Sequence, residues 1–322
     1  MKPISIRLSQ PNDRDAILEF VTAMGFNARD KVTWDALHMY AVTAWDETRL
    51  VGAIPMEPRN LQIAPGFVVP SIHQTVVAVR PDFRGMGIGS RMQALLDTNQ
   101  PNGAAIATVF RNDENSGAYR WYRRNGFSPA MHIDSWLTTH PKNISSKEDI
   151  LFLNPSKDCI EWNAIEVLWR QTCGATTGGF VDRADRPLQY WLPVHPYRKR
   201  YDFALIVRRD EDCDLCAYAL IGTGTLRSKT ERLDILEFCA TENQAELLLH
   251  DVAAYAARKG LSPLRWPLAD QDPNRMIAKQ TGLKPGWDFD MLVRPLRPRD
   301  IRAPIPQAGR SSIWRYHSID FI

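Results

Sequence analysis

A glycine-rich turn between an apolar strand and a helix constrains the fold of this 322-residue chain more than any other feature. The segment Ser71–Val79 is rich in β-branched residues, which predicts a buried central strand. Pro81 interrupts the strand ladder because proline has no N–H to donate. The run Arg84–Gly89 then allows a tight turn, after which apolar residues recur at helical spacing. This order of elements predicts an α/β fold.

The turn has the chemistry of a diphosphate site. Its glycines allow successive backbone N–H groups to point the same way. The helix that follows offers its unpaired N-terminal N–H groups and the positive end of its dipole. Arg84 adds a charge-assisted contact. The spacing Arg-x-x-Gly-x-Gly, with no Lys-Ser/Thr after it, is neither a Walker A loop nor a Rossmann fingerprint.

Strands and helices alternate in both halves of the chain, which predicts a mixed α/β sheet with parallel pairing around the central strand. The first half predicts further strands near 4–8, 40–44, 50–56, 104–110 and 132–137, a helix opened by Pro11, and a helix over Ser116–Arg124. The second half predicts strands at 203–207, 216–221, 233–238, 264–267 and 289–293, and helices at 244–259 and 274–281. The repeated layout indicates two tandem domains of one fold.

Composition changes mark the predicted domain boundaries. We expect a first domain at 1–140 and a polar linker at 141–158, where turn-forming residues concentrate. A second domain follows at 159–300. The tail at 301–322 is rich in Pro and Arg at its start, and its apolar residues Ile313, Trp314, Tyr316 and Phe321 are expected to pack on the body.

Composition excludes several function classes. The apolar fraction of 44% and the net charge of +3 fit an ordinary globular protein and are too mild for a nucleic-acid binder. No apolar run is long enough to cross a bilayer, and the N-terminus lacks the apolar core of a signal peptide, so a cytoplasmic location is expected. Cys213 and Cys216 form one CxxC without a second pair, so no metal is expected.

Two motifs carry a resemblance to a known family. Val79-Arg-Pro-Asp-Phe-Arg-Gly-Met-Gly-Ile-Gly89 and Asn115-Ser-Gly-Ala-Tyr-Arg-Trp-Tyr-Arg-Arg-Asn-Gly-Phe127 resemble the acyl-CoA signature and the following helix of the GNAT N-acetyltransferases. The resemblance covers about residues 1–137 and implies acetyl-CoA as co-substrate. It implies a mixed, mostly antiparallel sheet with a splayed central parallel pair. The cofactor contacts that it implies are Val77, Val79, Arg84, Gly85, Met86, Gly87, Ile88, Gly89, Asn115, Ala118 and Tyr122.

Acetyl transfer to an amine requires a base for the amine and an acid for the leaving thiolate. The resemblance makes Tyr122 the general acid, and a phenol is a suitable donor to a thiolate. The base stays open between His73 on the central strand, Glu57 after the preceding strand, and water. Asn115 is expected to cap the helix that starts at Ser116, to contact the cofactor, or both.

The second half lacks the glycine-rich turn, so the chain resembles a tandem member with a degenerate second domain. Thr241 and Gln244 predict a capping box that occupies the corresponding helix start, and one CoA per chain is therefore expected. The segment Tyr190–Tyr201, with Trp191, His195 and Tyr197, is either a lining for an acceptor cleft or ordinary packing.

The leading hypothesis is direct transfer of acetyl from acetyl-CoA to a primary amine of a small molecule. The alternatives are a non-catalytic acyl-CoA sensor, an enzyme that acts on a protein amine, and transfer of a longer acyl chain. Neither nucleic acid nor a membrane is an expected partner. The sequence leaves open the acceptor, the acyl length, the role of the second domain, and whether the protein is a monomer or a homodimer.

Overall fold

The structure is a computed structural model that describes residues 3–26, 29–99, 103–112, 114–140, 151–175, 178–225, 231–241 and 243–296. The predicted tail at 301–322 and residues 141–150 of the predicted linker lie outside the described residues. The chain forms two compact units. Unit 1 contains the described residues of Met1–Asn60, Val69–Ala130 and Met291–Gln307, and unit 2 contains those of Leu61–Val68 and Met131–Asp290.

The first part of the chain forms the elements β1 (Ser5–Leu8), α1 (Arg14–Ala23), α2 (Lys31–Ala36), β2 (Tyr40–Asp46), β3 (Arg49–Ala64), β4 (Phe67–Gln74), β5 (Ala78–Val79), α3 (Ile88–Thr98), β6 (Ile106–Arg111), α4 (Gly117–Arg124) and β7 (Ser128–Thr138). The second part forms β8 (Leu151–Leu153), α5 (Trp162–Trp169), β9 (Phe180–Val181), α6 (Leu188–Trp191), β10 (Asp202–Arg209), β11 (Leu215–Gly224), β12 (Arg232–Ala240), α7 (Ala245–Lys259), β13 (Leu264–Ala269), α8 (Asn274–Gln280) and β14 (Lys284–Pro295).

Unit 1 is built on a sheet in the order β1-β2-β3-β4-β6, with β5 on β3 and the end of β14 next to β6. The pairs β1–β2, β2–β3 and β3–β5 are antiparallel, whereas β4 and β6 are parallel. The parallel register runs only from Ser71↔Ile106 to His73↔Thr108. Beyond it the chain stays with β3 through Gly52↔Val79, so the sheet opens between β5 and β6.

The predicted continuous strand Ser71–Val79 is wrong in one respect, because the strand is broken between Gln74 and Ala78. The physical reason lies on the neighbouring strand. Pro55 has no N–H to donate, and its carbonyl accepts instead from Thr75 N at 3.1 Å. The interruption is bulge-like and turns β5 away from β6. This break makes room for a cleft.

Helices α3 and α4 pack on the open part of the unit 1 sheet. They bury a shared core in which Ile88, Met92 and Leu96 of α3 meet Tyr119 and Tyr122 of α4. The apolar stripe predicted for α3 is therefore the face that enters the core. Leu95 of the same stripe is packed at its edge.

Unit 2 repeats the layout with the order β7-β13-β12-β11-β10-β8. Strands β12 and β13 are parallel only at Leu233↔Leu264 and Asp234↔Arg265. Farther along, the Phe238 and Trp266 rings pack with their centroids 4.5 Å apart and belong to the main core of the unit. The place that opens into a cleft in unit 1 is therefore filled by aromatic side chains in unit 2.

Strand β14 contributes to both units. Its residues up to Asp290 belong to unit 2, and those from Met291 belong to unit 1. Just after the strand, Leu296 N donates to Ala105 O at 2.8 Å within unit 1. A residue's position in the first or second half of the chain therefore does not by itself show which unit it belongs to.

The predicted mixed α/β fold is confirmed, because each unit has a mostly antiparallel sheet with one parallel pair. Helix α7 begins at Ala245 with Gln244 as its N-cap residue, so the predicted capping box with Thr241 is wrong. The Gln244 side chain instead accepts a hydrogen bond from Arg208 Nε at 3.1 Å. Helices α2, α5 and α6 have no counterpart among the predicted elements. Within the described residues, no helix is both long and apolar enough to span a bilayer.

Candidate active site

The glycine-rich turn has the backbone that its sequence predicts. Gly85 and Gly87 have φ values of 79° and 70°, in the left-handed region that favours glycine. Gly87 is the N-cap residue of α3. Its carbonyl accepts a backbone hydrogen bond from Arg91 N at 3.0 Å. The N–H groups of the first turn before Arg91 have no acceptor within the helix. They are available for an anion.

The space above the turn is open. A Cβ atom at Gly85 or Gly87 would meet no other atom within 4 Å. The Arg84 side chain donates from Nε to Val79 O at 3.1 Å, which holds its guanidinium beside the turn. At Gly89 a Cβ would lie 3.5 Å from the Trp121 ring, so this ring stands next to the start of α3. The residues present therefore fit a diphosphate flanked by an arginine.

A cleft of about 680 Å³ occupies the opening between β5 and β6. One wall is the edge of Val77 to Val79, and the other includes Arg111 at the end of β6 and Ala118 and Tyr122 of α4. The glycine-rich turn Arg84–Gly89, called the diphosphate turn below for the ligand predicted for it, forms part of the same lining. The other residues that line the cleft are Met24, Phe26, Ala78, Phe83, Arg84, Gly85, Gly87, Ile88, Gly89, Ser90, Gly117 and Trp121.

Tyr122 is fully buried in the unit 1 core, yet it lines the cleft. Its ring is held edge-on by Trp121 and Phe127, with centroids 5.0 Å and 5.2 Å away. Burial raises the pKa of the Tyr122 phenol, although the nearby Arg111 charge and hydrogen bond pull that pKa down in part. The net direction keeps the phenol protonated at neutral pH, as a proton donor must be.

The two candidate bases lie away from the cleft lining. His73 is buried on β4, with its Nδ1 3.0 Å from Thr108 Oγ1 and its ring 5.4 Å from the Phe110 ring. Glu57 is buried on β3, with carboxylate oxygens 3.8 Å from Arg29 Nη2 and from Arg59 Nη1. The structure does not bring either side chain together with Tyr122 in the cleft.

Two of the predicted cofactor contacts stand apart from the cleft lining. Met86 is exposed at the tip of the turn, and Asn115 is exposed before α4. Asn115 is also not the N-cap, because Ser116 takes that place and its Oγ accepts from Tyr119 N at 3.1 Å. The helix begins at Gly117, one residue later than predicted, so the N-cap is Ser116 in place of Asn115.

The sequence reasoning missed several residues of the cleft. Arg111 lies just after the predicted strand 104–110, and Trp121 lies inside the predicted helix Ser116–Arg124, but neither was predicted as a site residue. The signal for Arg111 was its position as the last residue before a polar turn on the strand next to the central one. Phe83 and Phe26 complete the apolar lining and carry no comparable signal, since single aromatic residues in loops have many roles.

The aromatic segment Tyr190–Tyr201 of unit 2 is partly packed in the interior and partly next to a cavity. Trp191 and His195 are buried against one another, with ring centroids 5.0 Å apart, which is ordinary packing. A separate cavity of about 370 Å³ lies beside Arg198, Tyr201 and Phe203. The acceptor role of this segment stays a prediction.

Comparisons with known proteins agree with this geometry. Residues 38–129 match the family model described as the acetyltransferase (GNAT) domain, and this range contains the turn, the opening of the sheet and Tyr122. Among curated proteins, none is a significant sequence match to the chain. The family assignment therefore rests on the domain model and on the fold.

Three solved structures illustrate the likeness in fold. A probable N-acyltransferase of Enterococcus faecalis V583 has a TM-score of 0.68 at 14% identity, over 92% of this chain and 73% of that chain. A GCN5-related N-acetyltransferase of Anabaena variabilis has a TM-score of 0.67 at 16% identity, with the same coverage of 92% and 73%. A tandem GNAT protein from the clavulanic acid biosynthesis pathway has a TM-score of 0.61 at 11% identity, over 92% and 100%.

At these identities the likeness establishes the fold, and the family model adds the domain type. Residues 38–129 of this chain are therefore a GNAT acetyltransferase domain, set in the fold that GNAT N-acetyltransferases and a tandem GNAT protein share.

Proposed function

We propose that unit 1 binds acetyl-CoA and transfers its acetyl group to a primary amine of a small molecule. One observation carries this proposal. A single cleft of about 680 Å³ is lined at once by residues of the glycine-rich turn, by the strand edge of Val77 to Val79, and by Tyr122. A GNAT domain supports acyl transfer in general, and this cleft has the parts that a thioester donor requires.

The lining suggests how the donor is held. The free N–H groups at the start of α3 and the Arg84 guanidinium would take the diphosphate. Gly117 has no side chain and Ala118 only a methyl group, which leaves space for the pantetheine arm along the strand edge. The thioester would then lie near Tyr122, beyond the last paired residues of β4 and β6.

Direct attack needs no covalent intermediate on the protein. The amine nitrogen bonds to the thioester carbon, the carbon–sulfur bond breaks, and the sulfur takes a proton from Tyr122. The amine must lose its own proton to a base. Because His73 and Glu57 lie outside the cleft lining, water linked to one of them is a third route, and all three remain candidates.

The test combines binding with turnover. Isothermal titration calorimetry with CoA checks the cofactor site. A thiol-release screen with acetyl-CoA against amines, aminoglycosides and amino-sugar nucleotides checks transfer and identifies the acceptor. Saturable thiol release with one acceptor class supports the proposal. Binding of CoA without turnover on any amine would favour the sensor alternative, and no binding would remove the cofactor site.

Tyr122→Phe is expected to reduce kcat by about 100-fold or more, because a general acid contributes about 10²- to 10⁴-fold. The Kd for acetyl-CoA should change little, since the ring and its packing remain. Tyr119→Phe is the matched control, because it removes a hydroxyl from the other buried tyrosine of α4, which lies outside the cleft lining. Steady-state kinetics and calorimetry of the two variants decide the point. Equal kcat in both variants would exclude Tyr122 as the acid.

A further inference from the structure

Arg111 is the last residue of β6, and it is a half-buried cation that lines the cleft. Its guanidinium carbon lies 5.1 Å from the centre of the Tyr122 ring, and Nη2 lies 3.4 Å from the Tyr122 hydroxyl. Its Nε is buried without a hydrogen-bond partner. Among the residues that the structure describes, no carboxylate forms an ion pair with Arg111.

Some other arginines of unit 1 have acidic partners. Arg294 pairs with Asp97 at 2.6 Å, and even the exposed Arg49 pairs with Asp82 at 3.3 Å. Placing a cation in a partly buried site without an anion is costly, because water no longer solvates it fully. The site of Arg111 is therefore suited to a negative charge that appears in the cleft.

We propose that Arg111 is a positioning residue for Tyr122, which orients the phenol toward the leaving sulfur and stabilises the negative charge formed there. The inference rests on the proposed function. The pair of electrons from the broken carbon–sulfur bond stays on sulfur, which then takes the Tyr122 proton. The resulting phenolate lies beside the Arg111 cation until it regains a proton from solvent. The products are one amide and one thiol.

A different role for the same cation is to hold a phosphate of the cofactor. This role predicts a loss of CoA affinity when Arg111 is replaced, with little change in kcat. The contact with the Tyr122 hydroxyl favours the first role, because the diphosphate turn already has Arg84 and the start of α3. The positioning role predicts a loss of kcat, whereas the phosphate-binding role predicts a loss of CoA affinity.

The experiment compares Arg111→Gln, Arg111→Lys and the control Arg124→Gln, which removes the same charge from an exposed site on α4. We expect Arg111→Gln to lower kcat about 100-fold, the lower end of the effect of losing one preorganised electrostatic contact. The Kd for CoA should stay within about threefold of the wild type, which is less than 1 kcal/mol. Arg111→Lys should recover part of kcat, and the control should keep full activity.

Two further readouts separate positioning from a structural role. The alkaline limb of the pH–kcat profile should move to higher pH in Arg111→Gln, because the cation that lowers the Tyr122 pKa is gone. In a Tyr122→Phe background the Arg111→Gln change should cost little more, since the two residues act as one unit. Thermal unfolding of each variant identifies those that fail to fold. If Arg111→Gln fails to fold, the kinetics of Arg111→Lys still test the inference.

Three results would overturn the inference while wild-type turnover stands. They are full kcat in Arg111→Gln, a loss of CoA affinity in place of kcat, and an undiminished effect in the Tyr122→Phe background. If the wild-type protein binds CoA but acetylates no amine, the proposed function itself fails, and the inference falls with it.

Discussion

Gly87 has a left-handed backbone and is the N-cap residue of α3. An alanine there would have free space around its Cβ, so its cost comes from the backbone alone. We expect Gly87→Ala to lower the free energy of unfolding by about 1 kcal/mol. We also expect it to weaken CoA binding about 10-fold or more, because relaxing φ re-aims the N–H groups at the start of α3. Chemical denaturation and calorimetry measure the two effects.

Gly282 provides a matched control in unit 2. It has φ = 89° and the same free space around a Cβ, so Gly282→Ala should lose similar stability. Its CoA affinity should equal that of the wild type. If both variants weakened CoA binding alike, the effect would come from general destabilisation and the turn would have no special role.

At the scale of single elements, helix α4 carries Ala118 and Tyr122 of the cleft wall. Its N-cap is Ser116, whose Oγ accepts from Tyr119 N. We expect Ser116→Ala to lower the unfolding free energy by about 1 kcal/mol, the usual cost of losing a cap. Asn115→Ala should change it by less than about 0.5 kcal/mol, as for a surface position. Thermal and urea unfolding of both variants check the assignment.

The same pair of variants separates capping from cofactor contact. If Asn115 touches the cofactor, Asn115→Ala raises the KM for acetyl-CoA without a loss of stability. A stability loss in Asn115→Ala equal to that in Ser116→Ala would contradict the observed helix start.

The sequence predicted long periodic elements well and their local breaks poorly. Strand β6 and helix α7 are found within a few residues of their predicted bounds, because apolar periodicity fixes them. The break between Gln74 and Ala78 was missed, since it depends on the missing N–H of Pro55 on another strand. Short α2 and α6 have too few residues for a periodic signal.

The candidate site divides in the same way. The turn was predictable because Gly85 and Gly87 mark positive φ directly in the sequence. The role of Arg111 in the cleft was not predictable, because its contact with Tyr122 depends on how β6 and α4 pack in three dimensions. The separation of His73 and Glu57 from the cleft could likewise not be read from their strand positions, since burial is set by neighbouring elements.

At the scale of the molecule, two similar sheets differ in whether the parallel pair opens. In unit 2, Phe238 and Trp266 occupy the core beyond the paired residues of β12 and β13. We therefore expect one CoA per chain in calorimetry. Arg84→Glu should abolish the measurable binding, because a carboxylate beside the turn repels a diphosphate. A stoichiometry of two, or binding that survives in Arg84→Glu, would reveal a second site.

The division of β14 between the units sets an order on biosynthesis. Residues from Met291, which join unit 1, leave the ribosome only after every residue of unit 2 up to Asp290 has been made. The nascent unit 1 therefore spends most of translation with the exposed edge of β6 unpaired, and unpaired sheet edges are prone to aggregation. Unit 1, which holds most of the residues that match the GNAT domain model, thus gains the neighbour of β6 late, although most of its sequence is translated first.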